Sequence, residues 1–227
     1  MTIRKSEARD KLAFYKVLVF SLVFLLITPP VHAGAGEGPY ITLTGSLNMY
    51  EDMDLTNLDT NLDPVITGWG SYLKTDTGFG FNHSIGYIFT NKFSMEVEFS
   101  SQGGKFGRAC SSAGCAEGQK SKLDGDIETK SFLANAIHYF NSEEPLSLYA
   151  GYGAGIAFHE ATLEGFDDGA ETTLAYQFKI GIDLQLNQHI DLLTGYRFLA
   201  TDQADFGFFR VGDVTTHSLE AGIKYNF

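Results

Sequence analysis

Segments of about ten residues in which apolar and polar residues alternate recur along the chain, and they restrict the possible folds more than any other feature. The alternation is clearest over residues 173–184, and residues 93–100 and 218–227 repeat it. Because successive side chains of a strand point to opposite faces, each segment predicts a strand with one apolar face. The clearest apolar faces consist of Leu174, Tyr176, Phe178, Ile180, Ile182 and Leu184; Phe93, Met95, Val97 and Phe99; and Leu219, Ala221, Ile223, Tyr225 and Phe227.

Weaker alternation adds five strands, which gives eight in total. The fourth, at residues 131–140, has an ambiguous face because Asn135 and His138 fall on opposite sides of it. The apolar faces of the first, second, fifth and seventh strands are Ile41, Leu43, Leu47 and Met49; Phe81, Ile85, Tyr87 and Phe89; Leu146, Leu148, Ala150, Tyr152, Ile156 and Phe158; and Ile190, Leu192, Tyr196 and Phe198.

The connections between these strands alternate in length. Short ones lie at residues 90–92, 141–145 and 187–189, and long polar ones lie at 50–77, 102–130, 160–171 and 201–213. Long and short connections therefore lie at opposite ends of one sheet. An even number of strands with both termini at the short-turn end predicts an all-β, eight-stranded antiparallel up-and-down transmembrane β-barrel, with short periplasmic turns and four long extracellular loops.

A soluble eight-stranded barrel of the lipocalin type is the main structural alternative, but its faces are reversed, with apolar residues inside and charged residues outside. Here one face of every clear strand is almost free of charge, as a lipid-facing surface requires, because a basic residue at the bilayer midplane costs about 2–4 kcal/mol. Aromatic residues near both strand ends predict two interfacial girdles. The charges on the opposite, inward face are Glu96, Glu98, Lys179, Asp183, Arg197, Glu220 and Lys224.

The first 33 residues have the three-part layout of a secretory signal. Five basic residues precede an apolar run of 11 residues, 17–27, and a small-residue site follows at Val31-His32-Ala33. A helix that spans a bilayer needs about 20 apolar residues. We therefore expect residues 1–33 to be a signal peptide that is cleaved after Ala33 or after Ala35, and residues 34–227 to form the barrel domain.

Without this leader the chain is strongly acidic. The leader contains 5 of the 16 basic and 2 of the 28 acidic residues, so 11 basic and 26 acidic residues remain, a net charge of −15. Such a chain repels nucleic acid, which is excluded as a partner. In an exported protein the nearby Cys110 and Cys115 are expected to form a disulfide within one loop, because a metal site needs two further ligands and no Cys or His flanks the pair.

The last strand, Gly222-Ile223-Lys224-Tyr225-Asn226-Phe227, resembles the terminal signal of small outer-membrane β-barrel proteins, the family of the OmpA transmembrane domain, the neisserial opacity proteins and rickettsial surface antigens. The segments Leu148-Tyr149-Ala150-Gly151-Tyr152-Gly153-Ala154-Gly155 and Gly195-Tyr196-Arg197-Phe198 are similar to the fifth and seventh strands of that family. The resemblance covers nearly all of residues 34–227. It implies a bacterial outer-membrane location and recognition of Gly222, Tyr225 and Phe227 by the barrel-assembly machinery. The long first and second loops and the cysteine pair depart from the family.

The inward charges have two interpretations. An eight-stranded barrel is just wide enough for side chains to fill it, so four acids and three bases predict a paired network that plugs the lumen. The alternative is a gated ion path along the same groups. No cofactor is expected, and the acidic stretch 51–63 lacks the spacing, the central Gly and the closing Glu of a calcium loop.

Enzymatic activity is not expected. The pairs His83-Ser84 and His217-Ser218 are adjacent on strands, so their side chains point to opposite faces and cannot act as base and nucleophile together. Hydrolysis of lipid or peptide is kept as a third candidate function, beside the anchor and the channel described next.

Aromatic residues and an arginine in the first and fourth loops are the residue types that anchor partners at interfaces. These candidate contacts are Trp69, Tyr72, Phe206, Phe208, Phe209 and Arg210. The sequence thus favours a rigid membrane anchor in outer-membrane lipid that displays loops to a host or envelope ligand. A narrow, porin-like channel for ions or small solutes is the alternative.

Overall fold

A computed structural model of the chain describes residues 37–56, 71–110, 125–140, 145–163, 169–205 and 210–227. No helix in these ranges is long and apolar enough to cross a membrane. Within them the chain forms ten strands, β1 (Gly38–Tyr50), β2 (Met53–Thr56), β3 (Ser71–Thr75), β4 (Gly78–Thr90), β5 (Phe93–Cys110), β6 (Gly125–Phe140), β7 (Leu146–Leu163), β8 (Gly169–Gln185), β9 (Ile190–Asp205) and β10 (Arg210–Asn226).

The sheet closes on itself, because β1 pairs with β4 on one side and with the last strand, β10, on the other. Every pairing is antiparallel and every other long strand lies beside its neighbours in sequence. Closure satisfies the backbone hydrogen bonds that an open sheet edge would leave exposed to lipid. The predicted all-β, eight-stranded antiparallel barrel is confirmed.

The two extra strands, β2 and β3, lengthen two of the eight strands of the barrel wall. Strand β2 continues β1 after a break at residues 51–52, and β3 leads into β4 after a break at residues 76–77. Above the breaks, β2 pairs with β10, β3 pairs with β5, and the two pair with each other. The barrel therefore stays eight-stranded throughout its height, and the prediction that residues 50–77 form only a loop is wrong.

The other long connections are also shorter than predicted. Residues 102–130, 160–171 and 201–213 were expected to be loops, but β5 extends to Cys110, β7 to Leu163 and β9 to Asp205. The eight long strands contain 13–18 residues. About 9–11 residues suffice for a strand to span a bilayer, so several strands continue well beyond the bilayer at the long-loop end.

The outward face of the barrel carries a continuous apolar surface, here called the apolar band. It follows the predicted strand faces. It also shows which face of the fourth predicted strand points outward, because Asn135 is buried inside and His138 is exposed outside. Its members, all at least one-third exposed, include Leu43, Leu47, Met49, Phe81, Tyr87, Phe89, Phe93, Met95, Val97, Phe132, Leu148, Tyr152, Ile156, Phe158, Tyr176, Phe178, Leu192, Leu219, Ile223 and Tyr225.

Above the apolar band the two faces exchange character. In β6 the outward positions change from Phe132 to the charged Lys130, Glu128 and Asp126, while inward Ile127 is fully buried. We call this part the long-loop extension. It comprises β2, β3 and residues 103–110, 125–130, 159–163, 169–173, 202–205 and 210–214, and its buried interior includes Met53, Phe106, Ile127, Ala161, Ala204 and Val214.

Candidate functional site in the barrel lumen

A buried ion-pair network crosses the middle of the lumen. The Lys179 amine from β8 lies 2.6 Å from Glu98, 3.7 Å from Glu96 and 3.8 Å from Glu220, which stand on β5 and β10. These strands line different sides of the barrel, so the network joins walls that share no backbone pairing. The alternation of β5 and β10 aims all three carboxylates inward.

Arg197 of β9 completes this network and is 0% exposed. Its guanidinium lies 3.5 Å from Glu98 and 3.4 Å from Glu220. It also donates to the Asn82 oxygen at 2.8 Å and to the Ser100 hydroxyl at 3.1 Å. A planar fork that reaches four partners holds its side chain in one position.

A second ion-pair cluster lies nearer the short-turn end. The Lys224 amine donates to Asp183 and lies 2.9 Å from Asp191. The rings of Tyr40 and Tyr139 face the same amine at 5.9 Å and 5.1 Å. All seven charges that the sequence placed inside thus lie within 4 Å of an opposite charge from the same set.

Asp191 was missed by the sequence reasoning. It is buried and faces inward, but it directly follows Ile190 at the start of β9, next to the turn at residues 187–189. A carboxylate beside a polar turn has no sequence signal that separates it from a solvated one. With Asp191 the described lumen contains five acids and three bases.

Neutral amides and hydroxyls compensate for the excess of acids. Glu96 accepts hydrogen bonds from Tyr40 at 3.0 Å, Ser84 at 2.8 Å and Asn135 at 3.0 Å. Such charge-assisted bonds stabilise a buried carboxylate without a counter-charge. Gln177 donates to the Asn135 oxygen at 2.6 Å and extends the network across the lumen.

The glycine run of β7 makes room for this network. A Cβ at Gly153 would lie 1.8 Å from the Asn135 side-chain oxygen, and one at Gly151 would lie 2.4 Å from the end of Ile137. Both glycines face inward, so side chains from β6 lie across them. The alternating glycines quoted above therefore serve lumen packing.

A layer of uncharged polar residues separates the ion pairs from the apolar interior of the extension. His159 lies between the hydroxyls of Thr129 and Thr173, each at 3.0 Å, and Ser218 donates to Asn48 at 2.7 Å. On the side formed by β6 to β9, a buried apolar cluster of Leu133, Ala157, Ala175 and Leu199 lies between this polar layer and the ion pairs. Toward the long-loop end the lumen there changes from charged to apolar to neutral polar, and it is apolar again in the extension.

A small cavity lies inside the lumen among the described residues, on the short-turn side of Lys179. Its volume is about 30 Å³, and its walls include Tyr40, Glu96, Tyr149 and Lys224. This volume holds about two water molecules. It is too small for a solute.

His83 and His217 lie on the outer face of the barrel, whereas the adjacent Ser84 and Ser218 point into the lumen. The ring of His83 lies 5.2 Å from that of Phe99, whereas Ser84 bonds inward to Glu96. His217 contacts Glu51 at 2.7 Å and Tyr196 at 2.5 Å, whereas Ser218 is buried in the lumen. Neither histidine can therefore reach the adjacent serine.

The outward charges of the extension pair at its surface. Lys130 lies 3.3 Å from Glu128 and 3.4 Å from Glu160. Partial burial lowers the pKa of the Lys130 amine, but the two carboxylates outweigh this and hold its pKa above the usual value. The amine therefore stays protonated at neutral pH.

Most of the predicted loop contacts lie outside the described residues. Trp69, Phe206, Phe208 and Phe209 are among them, and so is the side chain of Arg210. Cys115 and the side chain of Cys110 also lie outside the described part, so the disulfide stays a prediction. The Tyr72 ring lies 5.7 Å from the Lys74 amine. Of the predicted assembly residues, Tyr225 and Phe227 are exposed and Gly222 lies close to the backbone of β1.

Comparison with known proteins identifies a family and a fold. The family profile described as "Outer membrane protein beta-barrel domain" matches residues 18–227. Among solved structures, neisserial surface protein A has 19% sequence identity and a TM-score of 0.56, over 84% of this chain and 97% of that one. OprG from Pseudomonas aeruginosa has 17% identity and a TM-score of 0.51, over 86% and 98%. The curated proteins yield no match. At these identities the structural likeness shows the fold alone.

Proposed function

Since the chain belongs to the family of outer membrane proteins with this β-barrel domain, we propose that it is a closed, non-enzymatic anchor that displays its long-loop end for adhesion or envelope contacts. Membership of the family places the chain in the bacterial outer membrane, with lipid around the apolar band. Lumen packing supports the closed barrel, and the long-loop extension supports display at the surface.

The closed lumen is the observation that carries this proposal. Lys179 and Arg197 link Glu98 and Glu220 at the middle of the barrel, with contacts of 2.6–3.8 Å. Above them, buried Leu133 and Leu199 pack in one apolar cluster with Ala157 and Ala175. To cross the lumen, an ion would have to separate the buried ion pairs and then pass the apolar cluster without a counter-charge, and both steps are strongly unfavourable.

The extension supports display at the surface. Its strands continue above the apolar band and form a wall with buried apolar packing inside. Rigid scaffolds that carry variable loops commonly bind partners through those loops. The proposed contacts are Tyr72 of β3, Arg210 at the start of β10, and Trp69, Phe206, Phe208 and Phe209 from the segments between strands.

Conductance in a planar lipid bilayer tests the closed state. We expect no steady ohmic steps from the wild-type chain, and steps after Arg197→Ala, because this change removes one of the two cations that Glu98 and Glu220 share. Wild-type steps that disappear after Glu96→Gln or Arg197→Ala would show that the network is an ion path, and the anchor proposal would fail.

A narrow channel is the second candidate function, and the cavity of about 30 Å³ favours it. This cavity shows that the lumen is not completely filled on the short-turn side of Lys179. A chain of water on that side would leave the Lys179 and Arg197 layer as the main barrier. The conductance experiment separates the two functions.

Loop shortening tests the displayed end. Variants that replace residues 57–70 or 206–209 by short Gly-Ser linkers remove most of the proposed contacts and leave all described strands intact. Binding of host-cell surfaces or outer-membrane vesicles should fall for these variants but not for one with a shortened 164–168 loop. Equal binding by all three variants would argue against loop display.

Enzymatic turnover and assembly have separate tests. The proposal expects no hydrolysis of phospholipid or peptide substrates. Turnover that is lost after His83→Ala or Ser84→Ala would support the hydrolase hypothesis instead.

For assembly, removing Phe227 or replacing Tyr225 by Ala should slow insertion by the barrel-assembly machinery while spontaneous folding in detergent persists. Unchanged insertion would remove the proposed role of these residues.

A further inference from the structure

Polar atoms without a hydrogen-bond partner among the described residues gather in the upper lumen, beside β1 and β5. They are the hydroxyls of Ser46, Tyr50 and Thr75, the amide nitrogen of Asn48 and both ends of the Gln102 amide. Ser46 and Asn48 are buried, and Gln102 is only 1% exposed. Buried polar side chains in folded proteins nearly always have a partner, so an unpaired group of this size points to a bound molecule.

These groups converge around an inward-facing glycine. Gly80 of β4 pairs with Ser46 on one side and with Gln102 on the other, so all three stand on one row of the wall. A Cβ at Gly80 would lie 2.5 Å from the Ser46 hydroxyl and 2.7 Å from the Asn48 nitrogen. Both atoms therefore lean over the glycine toward the row occupied by Gln102.

A second glycine gives the upper side of this group its shape. A Cβ at Gly104 would lie 2.7 Å from the Tyr50 ring and 2.9 Å from the Thr75 methyl group. The two side chains thus cover Gly104 of β5, two residues beyond Gln102 on the same inward face. We call the five side chains Ser46, Asn48, Tyr50, Thr75 and Gln102 the hydroxyl pocket.

The chemistry of the hydroxyl pocket selects a neutral ligand. Its unpaired atoms are amides and hydroxyls, which supply both donors and acceptors and no net charge. The nearest cation of the network, Arg197, already contacts Glu98, Glu220, Asn82 and Ser100. A charged ligand would lose its hydration without gaining a counter-charge, whereas a hydroxyl group can donate and accept at once.

The wall beside the hydroxyl pocket is interrupted. The arms of the first hairpin pair up to Asn48 and Gly78, and pairing resumes at Met53 and Leu73. In the described part, residues 49–52 and 74–77 do not pair with each other, and a salt bridge of 3.7 Å between exposed Asp52 and Lys74 spans the gap. Exposed salt bridges are weak, so this pair contributes little to holding the two sides of the gap together.

We propose that the hydroxyl pocket binds neutral hydroxyl-bearing molecules, either water or a small polyol such as glycerol. The ligand satisfies Gln102 and Asn48 directly above the ion-pair network. This binding is independent of what the loops contact. It also does not require an open channel.

Solution NMR of the full chain in lipid nanodiscs tests the proposal through magnetisation transfer from water to side-chain amides. Asn135 is the matched control, because it is 1% exposed like Gln102 but donates to Glu96 and Glu98 and accepts from Gln177. We expect strong transfer to the Gln102 amide and none above background to Asn135. A Gln102→Leu variant assigns the signal, and backbone-linked spectra assign it if that variant does not fold.

A glycerol titration distinguishes the two sources. Cross-peaks from glycerol to Gln102, with loss of the water signal, identify a polyol site, whereas an unchanged water signal identifies a water site. Gly80→Ala places a methyl group against Ser46 and Asn48 and should abolish either signal. The proposal is overturned if neither water nor glycerol contacts Gln102, or if Asn135 shows the same transfer.

Discussion

The two parts of strand β7 follow opposite rules. Within the apolar band its outward side chains include Tyr152 and Phe158, and its inward positions include Gly153. In the long-loop extension, only a few residues later, the outward side chain is Glu160 and the inward one is fully buried Ala161. Strand β6 shows the same exchange between Phe132 and Glu128.

This contrast shows that the surrounding solvent, rather than the strand, decides which face is apolar. Lipid accepts the apolar face on the outside, so the lumen must satisfy its polar groups internally. Water accepts charges on the outside, so the extension can bury apolar side chains as a soluble barrel does. One continuous wall therefore has two kinds of interior.

The largest predicted effect concerns the interior of the membrane-spanning part. Arg197→Met removes one of the two cations that Glu98 and Glu220 share, and losing one partner of a buried pair costs about 3–5 kcal/mol. Urea unfolding in lipid vesicles, read by mobility on unboiled SDS gels, measures the free energy of unfolding. An unchanged midpoint would mean that the ion pairs contribute nothing to the contrast.

A charge on the outward face should distinguish the two parts next. Tyr152→Arg places a cation in the apolar band, at a position 70% exposed to lipid, and should cost about 2–4 kcal/mol. Thr162→Arg, on the same face of β7 but in the extension, should change stability by less than about 0.5 kcal/mol. Equal effects at both positions would contradict the change of solvent between them.

Small apolar truncations should show the reverse order. Ile127→Val opens a cavity in the packed interior of the extension and should cost about 0.5–1.5 kcal/mol. Ile223→Val on the lipid face should cost less, because acyl chains fill the space. The same urea titrations compare them, and a larger loss at Ile223 would mean that the extension is loosely packed.

A small effect is also expected at the gap in the first hairpin. Lys74→Met breaks the exposed pair with Asp52 and should cost less than about 1 kcal/mol, and this difference should vanish in high salt. Because it is also a cation-to-methionine change, it serves as a control for Arg197→Met. A loss as large as that of Arg197→Met would show that this bridge holds the gap closed.

Alternation predicted the apolar band because lipid leaves the outward face of each strand uniformly apolar. It missed the strand ends because the faces exchange there. Asp126, Ile127, Glu128 and Lys130 still alternate, but with the charged residues outward, so the segment was assigned to a polar loop. A search for period-two alternation of either polarity would find such extensions.

The candidate site was predictable only as far as charge allowed. Charged residues on a polar face could be placed in the lumen, whereas Asn82, Asn135 and Gln177 look like ordinary polar-face residues in sequence. Their roles depend on contacts across the barrel, with sequence separations of up to 138 residues. Those contacts follow from the tilt and stagger of the closed barrel, which one-strand periodicity does not contain.

Paramagnetic mapping along β7 tests the exchange of faces most directly. The full chain in bicelles is exposed either to a lipid-bound nitroxide or to a water-soluble gadolinium chelate, and signal loss is measured by NMR. We predict loss from the lipid probe at Leu148, Tyr152, Ile156 and Phe158, and loss from the chelate at Glu160 and Thr162. Lipid-probe broadening that continues through Glu160 and Thr162, or chelate broadening along the whole strand, would contradict the exchange of faces.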